Sequence, residues 1–458
     1  MGDTTQMSQV LNRLPGVLAL LILTAVLFYA GGAFAQDAAP VAAPVLLGHQ
    51  VPLELNGADT SWLATSTALV LLMTLPGLAL FYGGMVRRKN VVATITQSVG
   101  VFAVVTLVWF IAGYSLAFGK NPVEAYNSYI GSIQSLFLNG VTIETAHSLL
   151  PGIPELVFIS YQMTFAIITP ALITGAFAER FKYSALLLFT ALWSLLVYSP
   201  IAHWVWGGGF LGSAGVLDFA GGAVVHVNSG VAGLVCALFL GRRKGYGTEV
   251  ITPHNPVLTM IGASLLLVGW IGFNAGSAGA ANGLMGAALF NTIAAAAAAA
   301  LTWKLIEVMH KRKPSLIGML SGIVAGLVAI TPAAGFVDPK GAVIIGLIAG
   351  PACYVSSVWL KKLLRYDDSL DAFGIHGAGG LVGALLTGVF ATTTINSLSE
   401  GANIGTQALG LAWTIAYSAV GTLIILIICK FTTGLRVTDA EEAEGLDTVL
   451  HGESLEHS

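Results

Sequence analysis

An all-α membrane protein of eleven transmembrane helices is the fold class this sequence predicts, and three observations carry the prediction. Of its 458 residues, 55% are hydrophobic and 9% charged, against about a quarter charged in soluble domains. The mean hydropathy is +0.82, and the few charges cluster between long apolar runs. Eleven such runs approach the roughly 20 residues of helix that cross about 30 Å of hydrocarbon. The net charge of −3 carries no message about nucleic acid, and no such partner is expected. Cys236, Cys353 and Cys429 all lie within apolar runs and read as small packing residues, not a disulfide framework.

The chain opens with a segment shaped for export. Arg13 precedes an apolar stretch over residues 17–28, and Ala33-Phe34-Ala35 offers a small-x-small cleavage site before Gln36. Residues 1–35 are therefore expected to be a cleavable signal peptide, with an uncleaved first helix as the alternative. The Pro/Ala-rich stretch 36–60 is too polar to span and reads as a short extracytoplasmic segment. The transmembrane domain follows over 61–430, with spans at 61–86, 91–118, 154–178, 184–203, 224–241, 256–275, 284–302, 316–335, 341–360, 373–394 and 408–429. Residues 431–458 form an acidic tail, in which seven carboxylates oppose the single Arg436. Such a run is ordinarily a solvated tail.

Charge placement gives the orientation. The loops after odd-numbered spans, together with the tail, carry seventeen Lys and Arg residues, and the opposite loops carry only Lys120 and Lys340. By the positive-inside rule the basic side is cytoplasmic, giving N-out, C-in and an odd number of spans. The export signal then places the protein in a cytoplasmic (inner) membrane, as a multi-pass protein of a Gram-negative-like envelope.

The fifth and tenth spans share a pattern. His226-x-x-x-Gly230-x-x-Gly233 matches His376-x-x-x-Gly380-x-x-Gly383. An offset of five helices is odd, so the two halves would run in opposite directions. The expected architecture is a five-plus-five inverted repeat plus a final helix, with the functional site near the midplane. Ionisable groups inside spans are costly and usually face a cavity or a partner helix. Two readings of His226 and His376 stand: interhelical packing bonds, or a pair lining one path. A neutral histidine donates from one ring nitrogen and accepts at the other, so two in series could guide a hydrogen-bonding solute or relay a proton. No carboxylate lies deep within a span, and no metal or other cofactor is expected.

Several motifs occur in order. They are Pro76-Gly77-Leu78-Ala79-Leu80-Phe81-Tyr82-Gly83-Gly84, Gly175-Ala176-Phe177-Ala178-Glu179-Arg180 and Pro200-Ile201-Ala202-His203-Trp204-Val205-Trp206-Gly207-Gly208-Gly209. Asp218-Phe219-Ala220-Gly221-Gly222-Ala223-Val224-Val225-His226, Gly272-Phe273-Asn274-Ala275-Gly276-Ser277 and Phe373-Gly374-Ile375-His376-Gly377 follow. From about Ser61 into the tail, the chain closely resembles the ammonium transporter (Amt/Mep/Rh) family, and its bacterial Amt branch in particular.

That resemblance implies roles. Trp206, Ser277, Phe165 and Tyr161 would recruit the ammonium ion at an outer vestibule. On their own, Trp206 reads equally as an interfacial belt aromatic and Ser277 as a helix cap. Phe165 and Phe273 would be the stacked gate, and His226 and His376 the twin pore histidines, with Trp270 on the pore wall. Asp218 would be structural, stabilising amides at the mouth of the fifth helix, with direct proton acceptance as the alternative. Tyr161 stands where the bacterial pattern usually has phenylalanine. The resemblance further implies a homotrimer, a tail packed under the pore, and a PII-type signalling protein as cytoplasmic partner. Ammonium uptake is the expected function. Its rivals are an ammonium sensor signalling through the tail, an ion-coupled carrier, and an enzyme. A sensor would be favoured by a long appended domain, a carrier by a buried counter-carboxylate. No nucleophile motif supports an enzyme, and none is expected.

Overall fold

The computed structural model describes residues 46–455. The expected signal peptide lies outside the described residues.

Helices carry the architecture because backbone in hydrocarbon must satisfy its own polar groups. In chain order they are α1 (Gly57–Met85), α2 (Arg88–Phe118), α3 (Glu155–Phe177), α4 (Tyr183–Ser213), α5 (Gly222–Leu240) and α6 (Pro256–Gly276). Then come α7 (Gly283–Lys311), α8 (Leu316–Ile330), α9 (Pro339–Leu364), α10 (Phe373–Phe390) and α11 (Ile404–Thr432). Each expected span falls on one of these. Among the described residues, ten are long and apolar enough to cross a membrane by themselves. The exception is α8, whose 15 residues rise only about 22 Å. It was expected to run to 335, but turns replace helix over Thr331–Phe336, next to Pro332, which has no amide proton to donate.

Other boundaries move for local reasons. Asn56 starts α1 four residues early, its side chain accepting from the amides of Ala58 and Asp59 at 3.0 and 3.2 Å. Helix α7 runs nine residues past its expected end, through Lys304, and stops where Arg312 turns left-handed (φ 65°). Asn282, Asn403 and Asp338 cap α7, α11 and α9 in the same way as Asn56 caps α1.

Outside the helices, β1 (Gln50–Pro52) pairs antiparallel with β2 (Thr145–His147). The pair ties the N-terminal segment to the loop before α3. Beneath it Glu155 is fully buried. It accepts from Gln50 Nε2 at 2.8 Å and the Tyr114 hydroxyl at 2.7 Å, and pairs with His49 Nε2 at 3.1 Å.

The opposite ends of α1, α3, α5 and α9 are joined by charge. Glu179 accepts from Arg87 Nε at 2.8 Å and pairs with Arg243 Nη1 at 3.2 Å, and Arg243 also grips Asp367 at 2.9 Å. Arg180, fully buried, donates to the Asp367 carbonyl at 2.6 Å and the Ser369 hydroxyl at 2.6 Å. Partnering of this kind is what makes buried charge tolerable.

Two carboxylates of the acidic tail, Glu442 and Asp447, are buried against the rest of the protein. Glu442, 1% exposed, accepts from Arg436 at 2.7 Å and from the Lys244 amide at 2.6 Å. Asp447 accepts from the Ala93 amide at 2.8 Å, at the start of α2. A short helix, α12 (Asp439–Glu444), is set by a capping box between Thr438 and Glu441.

Candidate functional site

The two histidine helices cross in close contact. A Cβ added at Gly230 would lie 2.3 Å from the Gly377 amide, and one at Gly380 would lie 2.9 Å from the Gly222 carbonyl and 3.1 Å from His226 Cβ. Advancing along α5 from Gly222 to Gly230 therefore retreats along α10 from Gly380 to Gly377, so the pair runs antiparallel. The first glycine of the shared spacing is thus explained, since only glycine at 230 and 380 lets these backbones touch.

Both histidines stand in π-helical turns, His226 in Gly222–Val227 and His376 in Phe373–Gly377. Such wide turns are rare and concentrate at functional sites. The rings lie 5.3 Å apart at 23°, and their Nδ1 atoms are 3.4 Å apart, so one donates and the other accepts. Nε2 of His226 is buried without a hydrogen-bond partner among the described residues. Trp270 stacks on the other side of His226 at 5.3 Å and donates its indole proton to Thr331 Oγ1 at 2.8 Å.

Aromatic rings continue this column outward. Phe273 lies 6.0 Å from His226, and Phe165 stacks on Phe273 at 4.2 Å and 22°. Trp206 meets Phe165 edge-on at 5.9 Å, as does Tyr161 at 5.0 Å. Trp206, Tyr161, Phe165, Ser277 and Asp218 line one open vestibule of about 500 Å³. Below the stacked phenyl rings, Phe273, Trp270, His226 and His376 line a lumen with only about 10 Å³ of free volume. That is room for about one water-sized molecule. The structure therefore brings every predicted site residue to one axis.

Asp218 lies at the vestibule edge of α5. Its two carboxylate oxygens accept from the amides of Gly221, Gly222, Ala223 and Val224 at 2.5 to 3.0 Å. Its carbonyl also holds the Trp206 indole at 2.8 Å. Burial pushes this carboxyl above its ordinary range, against the four amide bonds that favour its charged form. Gly221 makes the arrangement possible by turning at φ 114°, where a side chain would be strained.

Sequence reasoning missed the equivalent group on α10. Asp368 precedes His376 by eight residues, as Asp218 precedes His226, and it accepts from the amides of Ala372 and Phe373 at 3.0 and 2.8 Å. Burial and the neighbouring Asp371 carboxyl push Asp368 up to about 6. Nearby, Lys361 donates to Asp371 and to the Asp368 carbonyl, and Lys361 and Asp371 line a second cavity of about 330 Å³. The apolar lumen walls, Met73, Phe81 and Leu266 among them, were also missed. In composition they resemble any lipid-facing residue.

An aromatic vestibule, stacked phenyl rings and a narrow apolar lumen among long apolar helices are the features of a multi-pass membrane transport protein. Residues 61–455 match the model of the Ammonium Transporter Family. The ammonium transporter of Aquifex aeolicus is 48% identical over 406 residues, covering 87% of this chain and 93% of that one. The ammonium transporter of Bacillus subtilis is 48% identical over 407 residues, covering 86% and 97%. Among solved structures, Saccharomyces cerevisiae Mep2 aligns with a TM-score of 0.77 at 36% identity, over 84% of this chain and 89% of that one. A structure titled Sensor Amt Protein aligns with a TM-score of 0.78 at 30% identity, over 86% and 98%. The chain belongs to the ammonium transporter family.

Proposed function

We propose that this protein takes up ammonium across the cytoplasmic membrane, crossing it eleven times with its basic face inside. The observation that carries this reading is the axis itself: an aromatic vestibule, two stacked phenyl rings, then a lumen of about 10 Å³ with two histidines.

Amines like that of lysine have a pKa of about 10.4, so the solute arriving at neutral pH is a cation. Contact with the faces of Trp206, Phe165 and Tyr161 gives about 0.5–2 kcal/mol, enough to concentrate it at the mouth. Moving the bare ion into an apolar lumen costs far more, up to tens of kcal/mol by Born estimates. The ion therefore loses a proton near Phe165 and Phe273, and neutral ammonia passes His226 and His376. The shared Nδ1 proton leaves each ring one further nitrogen, and at His226 that nitrogen is the unpartnered Nε2. Potassium has no proton to lose and is excluded on chemical grounds. The released proton either follows along the histidines, making transport electrogenic, or returns outside.

By the same family likeness, three subunits each carry their own pore, the packed tail couples them, and a PII-type signalling protein is the cytoplasmic partner. The likeness to the solved sensor protein supports a second reading, in which bound ammonium is signalled through the tail. A single experiment separates them. Proteoliposomes given an inward ammonium gradient are expected to alkalinise faster inside, or carry a larger inward current, than empty ones. Neither signal, with ammonium binding intact, would move the sensor reading to the front.

A further inference from the structure

We infer that the hydroxyl of Tyr161 is a positioning group that sets how tightly the outer site holds its cation. It acts by donating to the carbonyl of the gate residue Phe273, the same carbonyl that takes the Ser277 proton. The inference rests on the ammonium reading above, and concerns the position where this chain departs from the usual phenylalanine.

Tyr161 stands one turn before Phe165 on α3, with its ring in the vestibule wall. Its hydroxyl, however, is directed at the end of α6. It lies 2.9 Å from the Gly272 carbonyl, 2.9 Å from the Phe273 carbonyl and 3.2 Å from Ser277 Oγ. The last carbonyls of a helix lack intrahelical partners, and here the Ser277 amide turns to the Asn274 carbonyl. The Phe273 carbonyl is satisfied instead by two hydroxyls, that of Tyr161 and that of Ser277, which donates at 2.8 Å.

The consequence is directional. Ser277 has one hydroxyl proton and spends it on Phe273, so its oxygen presents lone pairs. An ammonium ion carries only donors and needs an acceptor. Tyr161 also has one proton to donate, and while a backbone carbonyl takes it, Ser277 is left free to accept. A phenylalanine at this position would keep the ring face but lose the tyrosine's bond, leaving the Phe273 carbonyl held by the Ser277 hydroxyl alone instead of by two hydroxyls.

The test is a double-mutant cycle on ammonium transport by reconstituted protein, using Tyr161→Phe, Ser277→Ala and both together. Tyr161→Phe is expected to raise the half-saturating ammonium concentration roughly 3- to 10-fold, the scale of one buried hydrogen bond, with a smaller change in the maximum rate. The double variant is expected to be no weaker than Ser277→Ala alone. An unshifted Tyr161→Phe, a loss confined to the maximum rate, or effects that multiply in the double variant would each overturn the inference. Those outcomes leave ammonium transport standing, whereas a wild-type protein inert to ammonium would overturn both readings.

Discussion

Asp218 shows how one residue's role can be tested. Its carboxylate satisfies four amides and its carbonyl holds Trp206, a geometry that favours a structural role over proton acceptance. Asn keeps one acceptor oxygen and Ala keeps none. We therefore expect Asp218→Asn to retain measurable transport, while Asp218→Ala loses transport and about 2 kcal/mol of stability, the upper range for a helix cap. Equal loss of transport in both, with both folded, would favour proton acceptance instead. His147 supplies a test outside the pore. Its Nδ1 accepts from the Leu149 amide at 3.1 Å, so its Nε2 carries the proton, donated to the Phe118 carbonyl at 3.1 Å. Burial pushes this imidazole down to about 4, with nearby His49 adding to the effect against Glu155. The unfolded chain thus binds a proton that the folded one refuses between about pH 6.5 and 4, so stability is lost as pH falls through that window. The contribution reaches about 3 kcal/mol. Thermal midpoints in detergent should fall across this range, and less steeply in His147→Gln. Identical slopes would contradict the assignment.

Among the helices, α5 and α10 make the crossing that brings the two histidines together. A methyl at Gly230 would collide with the Gly377 amide, backbone that cannot move aside. Gly230→Ala should therefore destabilise by about 1–3 kcal/mol, as overpacking does. Gly286→Ala, on α7 with open space around it, should be neutral or slightly stabilising. Melting curves of the two variants decide the matter, and a neutral Gly230→Ala would refute the close crossing. This crossing was partly legible in the sequence, because histidine and glycine spacing repeat in the fifth and tenth spans. Asp368 was legible too, eight residues before His376, but it is hidden beside Asp367 at a loop edge, where acids are common. The π-helical turns were not legible. Nothing in the composition of Gly222–Val227 or Phe373–Gly377 distinguishes a wide turn from an ordinary one, since tertiary packing chooses it. The packing of the tail was legible from the family resemblance and not from its composition. A run of carboxylates reads as solvated until Arg436, the Lys244 amide and the start of α2 are brought beneath it.

Across the whole molecule, polar satisfaction is concentrated at two ends and along one axis, and the outer faces of the helices are apolar. Leu107, Leu301, Met309 and Ile424 are exposed on spans, which suits lipid and not water. The composition alone announced this, and charge placement announced which ends share a face. The basic face is also where the tail docks. Asp447→Ala, which frees the Ala93 amide, should release the tail to protease while leaving the helices resistant. Unchanged cleavage would show that this contact does not hold it. In the proposed mechanism, the molecule selects its solute by removing a proton. The most direct measurement records currents and internal pH in proteoliposomes pulsed with ammonium and, separately, with potassium. A saturating response to ammonium in either signal, with none to potassium, is the predicted result. A potassium current of comparable size would contradict the claim, because an ion that cannot be deprotonated would then be passing the lumen intact.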